Sequence, residues 1–300
     1  MRITHRAVTQ TALLGLNGNL AAVAKLQQQL TSGKQISAPS DSPTDTNRAM
    51  QVRQDRSAAQ QYARNITDGR SRLDAADTAL ATMAGQVRRV RDLTVQGLNS
   101  GSMSTTSRQA ISIEVGALRQ SLLAMANSSI NGRPLFGGPT SGATAYDAAT
   151  GDYVGARGAG GEVVETTRRI SRDEVARVDV TGPEAFGDPD GEDLFALVAK
   201  IADDVVADPD QLSADLAGLD AALDRLLGAG TAVGARSARL EAAGQVNADQ
   251  QLALRSQLAG VEDIDLAKTI MDLNQRQVGY QAALQATANV IQPTLVDFLR

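Results

Sequence analysis

Two heptad stripes, one at each end of a 300-residue chain, constrain its fold most strongly. From Leu13, steps of three and four reach Leu16, Leu20, Val23, Gln27 and Leu30, one helical face with a single polar break. From Leu266 the same walk reaches Ile270, Leu273, Gln277, Tyr280, Leu284, Thr287, Ile291, Thr294 and Phe298, with seven of the ten positions apolar. Chain ends are normally the least ordered part of a protein. Stripes this regular predict that both ends are helices, pairing with each other and with other copies of the chain. An ordinary bundle core within one subunit is the competing reading of any single stripe. Gln27, Gln277 and Thr287 would set the register of the seams or leave them loose until a partner arrives.

Between the ends, the pattern predicts a helical body with one interruption. Gly33 closes the first helix, Pro39 stops its continuation, and Ser42, Pro43 and Asp45 have the N-cap, N1 and N3 chemistry of a new helix. That helix carries Ala59, Tyr62, Ile66, Leu73, Ala76, Leu80, Met83, Val87 and Val90 on one face, with Gly69 the interior exception. A turn at Asn99–Ser104 leads to a third helix with Ile111, Val115, Leu118, Leu122 and Met125 on its face, antiparallel to the second. Helical pattern stops at Asn131-Gly132-Arg133-Pro134. From Leu135 to about Gly191, glycine and aspartate are dense, and Val164/Thr166/Arg168/Ile170 and Ala176/Val178/Val180 alternate with the period of strands. Helical periodicity resumes over Leu194–Val206, Leu212–Leu227 and Val233–Leu258.

The fold class predicted is therefore mainly α with a small β insertion, and long antiparallel or coiled-coil helices made from both chain ends. Residues 1–40 with 261–300 form a terminal coiled-coil domain, 41–135 with 190–260 a helical-bundle domain, and 136–189 a small, mainly β outer domain. Eight aromatic residues are few anchors for a globular core, which leaves the packing to Ala, Leu and Val.

Composition narrows the chemistry. The chain has no Cys and one His, His5, so thiolate sites, disulfides and His-based triads or metal centres have no material, and the chain reads as no enzyme, with no cofactor and no metal. Residues 147–225 hold 19 acids and 7 bases, whereas the flanks hold 15 acids and 22 bases without a dense basic face, so nucleic acid is not an expected partner. Neither a cleaved signal peptide nor a membrane-spanning stretch is legible, so membrane insertion is not expected. Asp188-Pro-Asp-Gly-Glu-Asp193 lacks the ligand alternation of a calcium loop and reads as a solvated turn, and Gly155–Gly161 matches no phosphate-binding fingerprint.

The run Leu30-Thr-Ser-Gly-Lys-Gln-Ile-Ser-Ala-Pro-Ser-Asp-Ser-Pro43 resembles the bacterial flagellin family at the motif after its first helix, through Leu30, Ser32, Gly33, Lys34, Ile36, Asp41 and Pro43. Ser42 stands where that family usually has a second acid. Asp265 to Ala286 is similar to the family's terminal helix. Met1-Arg-Ile-Thr4, the turn Asn131-Gly132-Arg-Pro-Leu-Phe136-Gly-Gly138 and Leu295-Val-Asp-Phe-Leu299 resemble members that join hook to filament more than those that build the filament; Pro134 replaces an aromatic residue often found there.

The resemblance implies flagellin-like layered domains and a structural role in the bacterial flagellum, outside the cell. It implies export in an unfolded state through the flagellar type III apparatus, and folding on assembly into an adaptor layer between hook and filament. Implied partners are further copies in a ring or helical layer, the adjoining hook-associated protein, filament flagellin, and an export chaperone on the C-terminal helix. The interface residues expected are Leu13, Leu16, Leu20, Val23, Leu30, Leu266, Ile270, Leu273, Tyr280, Leu284, Ile291 and Phe298. A short filament flagellin is the alternative, and a coiled-coil signalling or secretion-translocator protein a more distant one.

Overall fold

The computed structural model describes residues 5–98, 104–188 and 193–291. The readings on Met1–Thr4, the turn after Asn99, the centre of the acidic 188–193 loop, and Thr294, Phe298 and the Leu295–Leu299 ending lie outside the described residues. The chain divides into two compact units, residues 1–58 with 251–300 and residues 59–250.

In the first unit, α1 (His5–Ser32) lies beside α7 (Leu266–Ile291), with the beginning of α2 (Pro43–Leu98) and the end of α6 (Leu212–Glu262) completing it. Gly33, at φ +67°, ends α1 in the left-handed conformation that glycine adopts without a Cβ penalty, and its N–H returns to the Gln29 carbonyl at 2.8 Å. The Ser42 hydroxyl donates to Asp45 Oδ2 at 2.7 Å and accepts the Asp45 N–H at 3.4 Å, so the start of α2 is capped as its sequence predicts.

The second unit is built on the remainder of α2 and α6 with α3 (Thr105–Ala126), a short α4 (Gly182–Phe186) and α5 (Leu194–Ala207). Gln86 bonds Ser121, and Arg89 bonds Glu114, so α2 and α3 run antiparallel. Ile66, Leu73, Leu80, Met83, Val87 and Val90 of α2 are buried, and Tyr62 is half-buried. Gly69 marks a close approach to α2: a Cβ there would sit 2.8 Å from Val178 Cγ1 and 3.0 Å from Leu240 Cδ1.

Two expectations need correction. The glycines after Leu227 do not end a helix, since α6 runs unbroken through Gly228, Gly230 and Gly234. Ala229 and Val233 are buried, and packing along this face outweighs the roughly 1 kcal/mol that each glycine costs a helix. Nor do Ala, Leu and Val pack the core alone. Phe136, Tyr146, Tyr153, Phe186 and Phe195 meet in one cluster of mostly edge-to-face pairs with ring centroids 4.9–5.8 Å apart. Few aromatics suffice because five of the eight share one site.

Asn131 (φ 53°) and Gly132 (φ 74°) form the two-residue turn joining β1 (Ser129–Ile130) to β2 (Arg133–Pro134), the geometry that an Asn-Gly pair favours. β3 (Thr167–Arg169) pairs antiparallel with β4 (Val175–Arg177), matching the alternation seen in the sequence. The rest of 136–188 is mostly turns and extended chain, and its apolar side chains join the helical core. A charged network fastens it: fully buried Asp179 accepts the Thr166 N–H and Arg177 Nε, while Arg236 of α6 donates to the Asp179 carbonyl and to Glu184. Arg72, also buried, donates to the Pro134 and Leu135 carbonyls. Replacing Phe195 with Ala is expected to destabilise this unit by about 3–5 kcal/mol, read by denaturant unfolding of the full chain.

Candidate functional site

The sequence singles out a loop after α1, and the structure shows what it meets. Residues 33–35 run antiparallel to 262–264, the break between α6 and α7. The Gln35 N–H donates to the Glu262 carbonyl at 2.6 Å, and the Ile264 N–H to the Gly33 carbonyl at 3.2 Å. Each break leaves backbone groups that no helix satisfies, and each supplies the other's missing partner.

Side chains reinforce the clasp. Lys34 Nζ reaches Asp263 Oδ1 at 2.6 Å and Glu262 Oε2 at 3.2 Å, and Arg53 Nη2 of α2 approaches Glu262 Oε1 at 2.8 Å. The Glu262 side chain is only 5% exposed, so its charge is held between two cations. The hydrogen bond to Asp263 raises the pKa of Lys34. Asp41 ties the loop to itself: one oxygen accepts the Ser37 and Ala38 N–H groups and the Ser37 hydroxyl, and the other pairs with Lys25 at 2.8 Å. The Lys25 ammonium, followed by those loop donors, holds the Asp41 carboxyl well below the usual carboxylate range.

The family-motif positions fall into two places. Ser32, Gly33, Lys34, Asp41 and Pro43 lie at the clasp, with Ser32 Oγ accepting the Lys34 N–H at 3.2 Å and Pro43 opening α2. Gly132 shapes the β1–β2 turn and Phe136 enters the aromatic cluster, both in the second unit. Sequence reading missed Glu262, Asp263, Arg53 and Lys25. Their only signal was charge opposite to Lys34, to Asp41 or, for Arg53, to Glu262, up to 229 positions away.

The terminal stripes divide in the same way on both helices. Leu16, Val23 and Leu30 on α1 and Leu273 and Tyr280 on α7 are half-buried. Leu13, Leu20, Leu266, Ile270 and Leu284 are 43–57% exposed. On α1 the shielded line runs through Ala12, Leu16, Asn19, Val23, Leu26 and Leu30, so Asn19 and Leu26 take the places that a strict stripe gives Leu20 and Gln27. Since the end of α1 meets the start of α7 through the clasp, the two helices are antiparallel. Between them a groove is lined by Asn19, Lys25, Gln29, Asp272, Arg276 and Gly279. The Ile291 side chain and Phe298 lie outside the described residues. Met271 and Val278 add to the exposed apolar surface of α7. Among the described residues no group of three or more His, Cys, Asp or Glu could hold a metal, and no helix is long and apolar enough to cross a membrane.

The bacterial flagellin N-terminal helical region matches residues 3–141 and the bacterial flagellin C-terminal helical region matches residues 216–299. Flagellar hook-associated protein 3 of Salmonella typhimurium is 24% identical over 96% of this chain and 95% of its own length. A flagellin of Bacillus subtilis is 26% identical over the whole of both. Among solved structures, flagellar hook-associated protein 3 from Legionella pneumophila shares the fold, with a TM-score of 0.59 and 17% identity over 71% of this chain and 98% of that one.

Two outcomes test the clasp. Lys34→Ala is expected to cost about 1 kcal/mol, the upper end for a solvent-screened pair, and to speed hydrogen exchange at the Gln35 and Ile264 amides. Because the folded pKa of Asp41 is depressed, the stability it contributes is present above the unfolded carboxylate pKa and is lost as pH falls through the lower folded value. Protection factors at the Ser37 and Ala38 amides, with the intrinsic pH dependence of exchange divided out, should therefore fall on acidification, and Asp41→Ala should remove that dependence.

Proposed function

This chain belongs to the bacterial flagellin family, and from that premise we propose that it is a structural subunit of the bacterial flagellum, forming an adaptor layer that joins hook to filament. The observation that carries this reading is the likeness to hook-associated protein 3 along nearly the whole chain. The open apolar faces of α1 and α7 support it physically. Leu13, Leu20, Leu266, Ile270 and Leu284 stand half in water in one protomer, and each would gain by burial against a neighbour at about 25 cal/mol per Å².

In this layer the terminal helices of neighbouring copies line a central channel. Of the candidate seam residues, Leu13, Leu20, Leu266, Ile270 and Leu284 lie between copies, next to the adjoining hook-associated protein on one side and filament flagellin on the other. The chain reaches that position outside the cell through the flagellar export apparatus, unfolded and escorted by a chaperone on its C-terminal helix. A chain without Cys has no disulfide to hinder threading, and α7, about 39 Å long at 1.5 Å per residue, has too thin a seam to be stable alone. Its role is mechanical, not enzymatic.

A short filament flagellin is the second reading, favoured by the full-length likeness to the Bacillus subtilis protein. Loss of the gene should leave hooks without filaments and flagellin free in the medium; normal filaments on such cells would overturn the junction reading. Long homopolymers of the purified protein would favour a filament subunit. In the junction reading, Leu284→Asp should abolish filament attachment while near-ultraviolet circular dichroism of residues 59–250 is unchanged. Removing residues 261–300 should end co-purification with the chaperone.

A further inference from the structure

The second unit contains an acidic cleft that the packing of the subunit leaves unsatisfied. It lies between α5 and the start of α6, has a volume of 510 Å³, and is lined by Asp193, Ala196, Leu197, Lys200, Asp215 and Gly218. Asp193 is 8% exposed and Asp215 is 2% exposed. Lys200 Nζ donates to Asp215 Oδ1 at 2.7 Å and lies 3.7 Å from Asp204 Oδ2. Among the described residues, Asp193 Oδ1, Asp204 Oδ2 and Asp215 Oδ2 have no hydrogen-bond partner. Asp215 and Asp204 share the Lys200 ammonium while each keeps an acceptor oxygen without a hydrogen bond, as does Asp193, an arrangement that buried polar groups rarely keep unless something external completes it.

We propose that this cleft is a socket for one basic side chain, an arginine above all, from an adjoining copy of this chain. A metal ion fits poorly, because among the described residues no acidic group here is large enough to ligate one. A guanidinium fits better: it carries a single delocalised charge and several N–H donors that can meet two separate oxygens. Ala196, Leu197 and Gly218 offer an apolar wall for its stem. A Cβ at Gly218 would lie 3.1 Å from Leu197 Cδ2, so the glycine keeps that wall open.

Charge complementarity points to a second copy as the donor. Residues 147–225 hold 19 acids against 7 bases, while the flanks of the same chain hold 22 bases against 15 acids, and arginine supplies 25 of the 29 basic residues. Burial pushes the Asp193 carboxyl up to about 6, against the Phe195 and Ala196 backbone N–H groups and the charges of Arg119 on α3 and Arg225 on α6, which favour its ionised form. An inserted guanidinium would add to those favourable terms.

The socket rests on the self-assembly proposed above, and its test separates the two. Carbon-13 carboxylate spectra of the full chain are recorded with ethylguanidinium chloride and with sodium chloride at equal ionic strength. The Asp193 and Asp215 signals should shift saturably with the guanidinium alone. Asp193→Asn, which keeps a residue type suited to the N-cap position of α5, should abolish the response. Identical spectra in the two salts would overturn the socket.

Ala217→Cys at the rim, the only thiol in the chain, is then labelled with a maleimide photo-cross-linker in assembled flagella. A cross-link to an arginine-bearing peptide of a second copy, from residues 1–146 or 226–300, is the expected product. A cross-link solely to a different protein, or to none, rejects the second copy as occupant. Filaments that persist after deletion of the gene would sink the junction reading, whereas filaments lost on deletion with no such cross-link would sink only the socket.

Discussion

Everything in the first unit depends on two interruptions of helix being closed by each other. A helix end exposes carbonyl and N–H groups that must find partners, and a chain with long helices meets that cost wherever it turns. Here the turn after α1 and the turn between α6 and α7 share the cost through two backbone hydrogen bonds and the Lys34, Glu262, Asp263 and Arg53 charges. Once the breaks are joined, α1 and α7 leave the same point side by side. Their pairing therefore has a fixed origin even though the seam beyond it is thin and partly polar. Asn19, Gln29 and Asp272 on that seam would make a poor core for an isolated subunit.

Periodicity made the long elements legible. The face of α2 from Ala59 to Val90, the capping at Ser42 and Asp45, the glycine stop at Gly33 and the Asn131-Gly132 turn all follow from local chemistry, and local chemistry is what a sequence displays. Partners brought together by the fold left no such trace. Glu262 reads as one acid among several until Lys34 and Arg53 are placed beside it. Phe195 looks like an ordinary helix residue until it meets Tyr146 and Phe186. The continuous α6 was hidden for a related reason: local propensity argues for a break at Gly228 and Gly230, and tertiary burial of Ala229 and Val233 overrules it.

The terminal stripes show how far a heptad can be read. A strict walk in threes and fours picked out both shielded and open positions, because α1 carries leucines on two adjacent faces. Leu16, Val23 and Leu30 serve the contact with α7, whereas Leu13, Leu14 and Leu20 do not need it. One helix thus has apolar surface for two neighbours. Charge is divided as unevenly as apolar surface, with buried Asp179 fully paired inside the second unit and Asp193 and Asp215 each left, among the described residues, with an open oxygen.

The concentration of rings around Tyr146 also decides what light can report about this molecule. There is no tryptophan, and of the four tyrosines Tyr146 and Tyr153 sit together in the cluster, Tyr62 lies elsewhere in the second unit, and Tyr280 alone belongs to the first. Near-ultraviolet ellipticity and tyrosine emission will therefore track the packing of residues 59–250 and be almost blind to the pairing of the chain ends. A melting curve followed by ring signals would describe one unit while seeming to describe the whole protein.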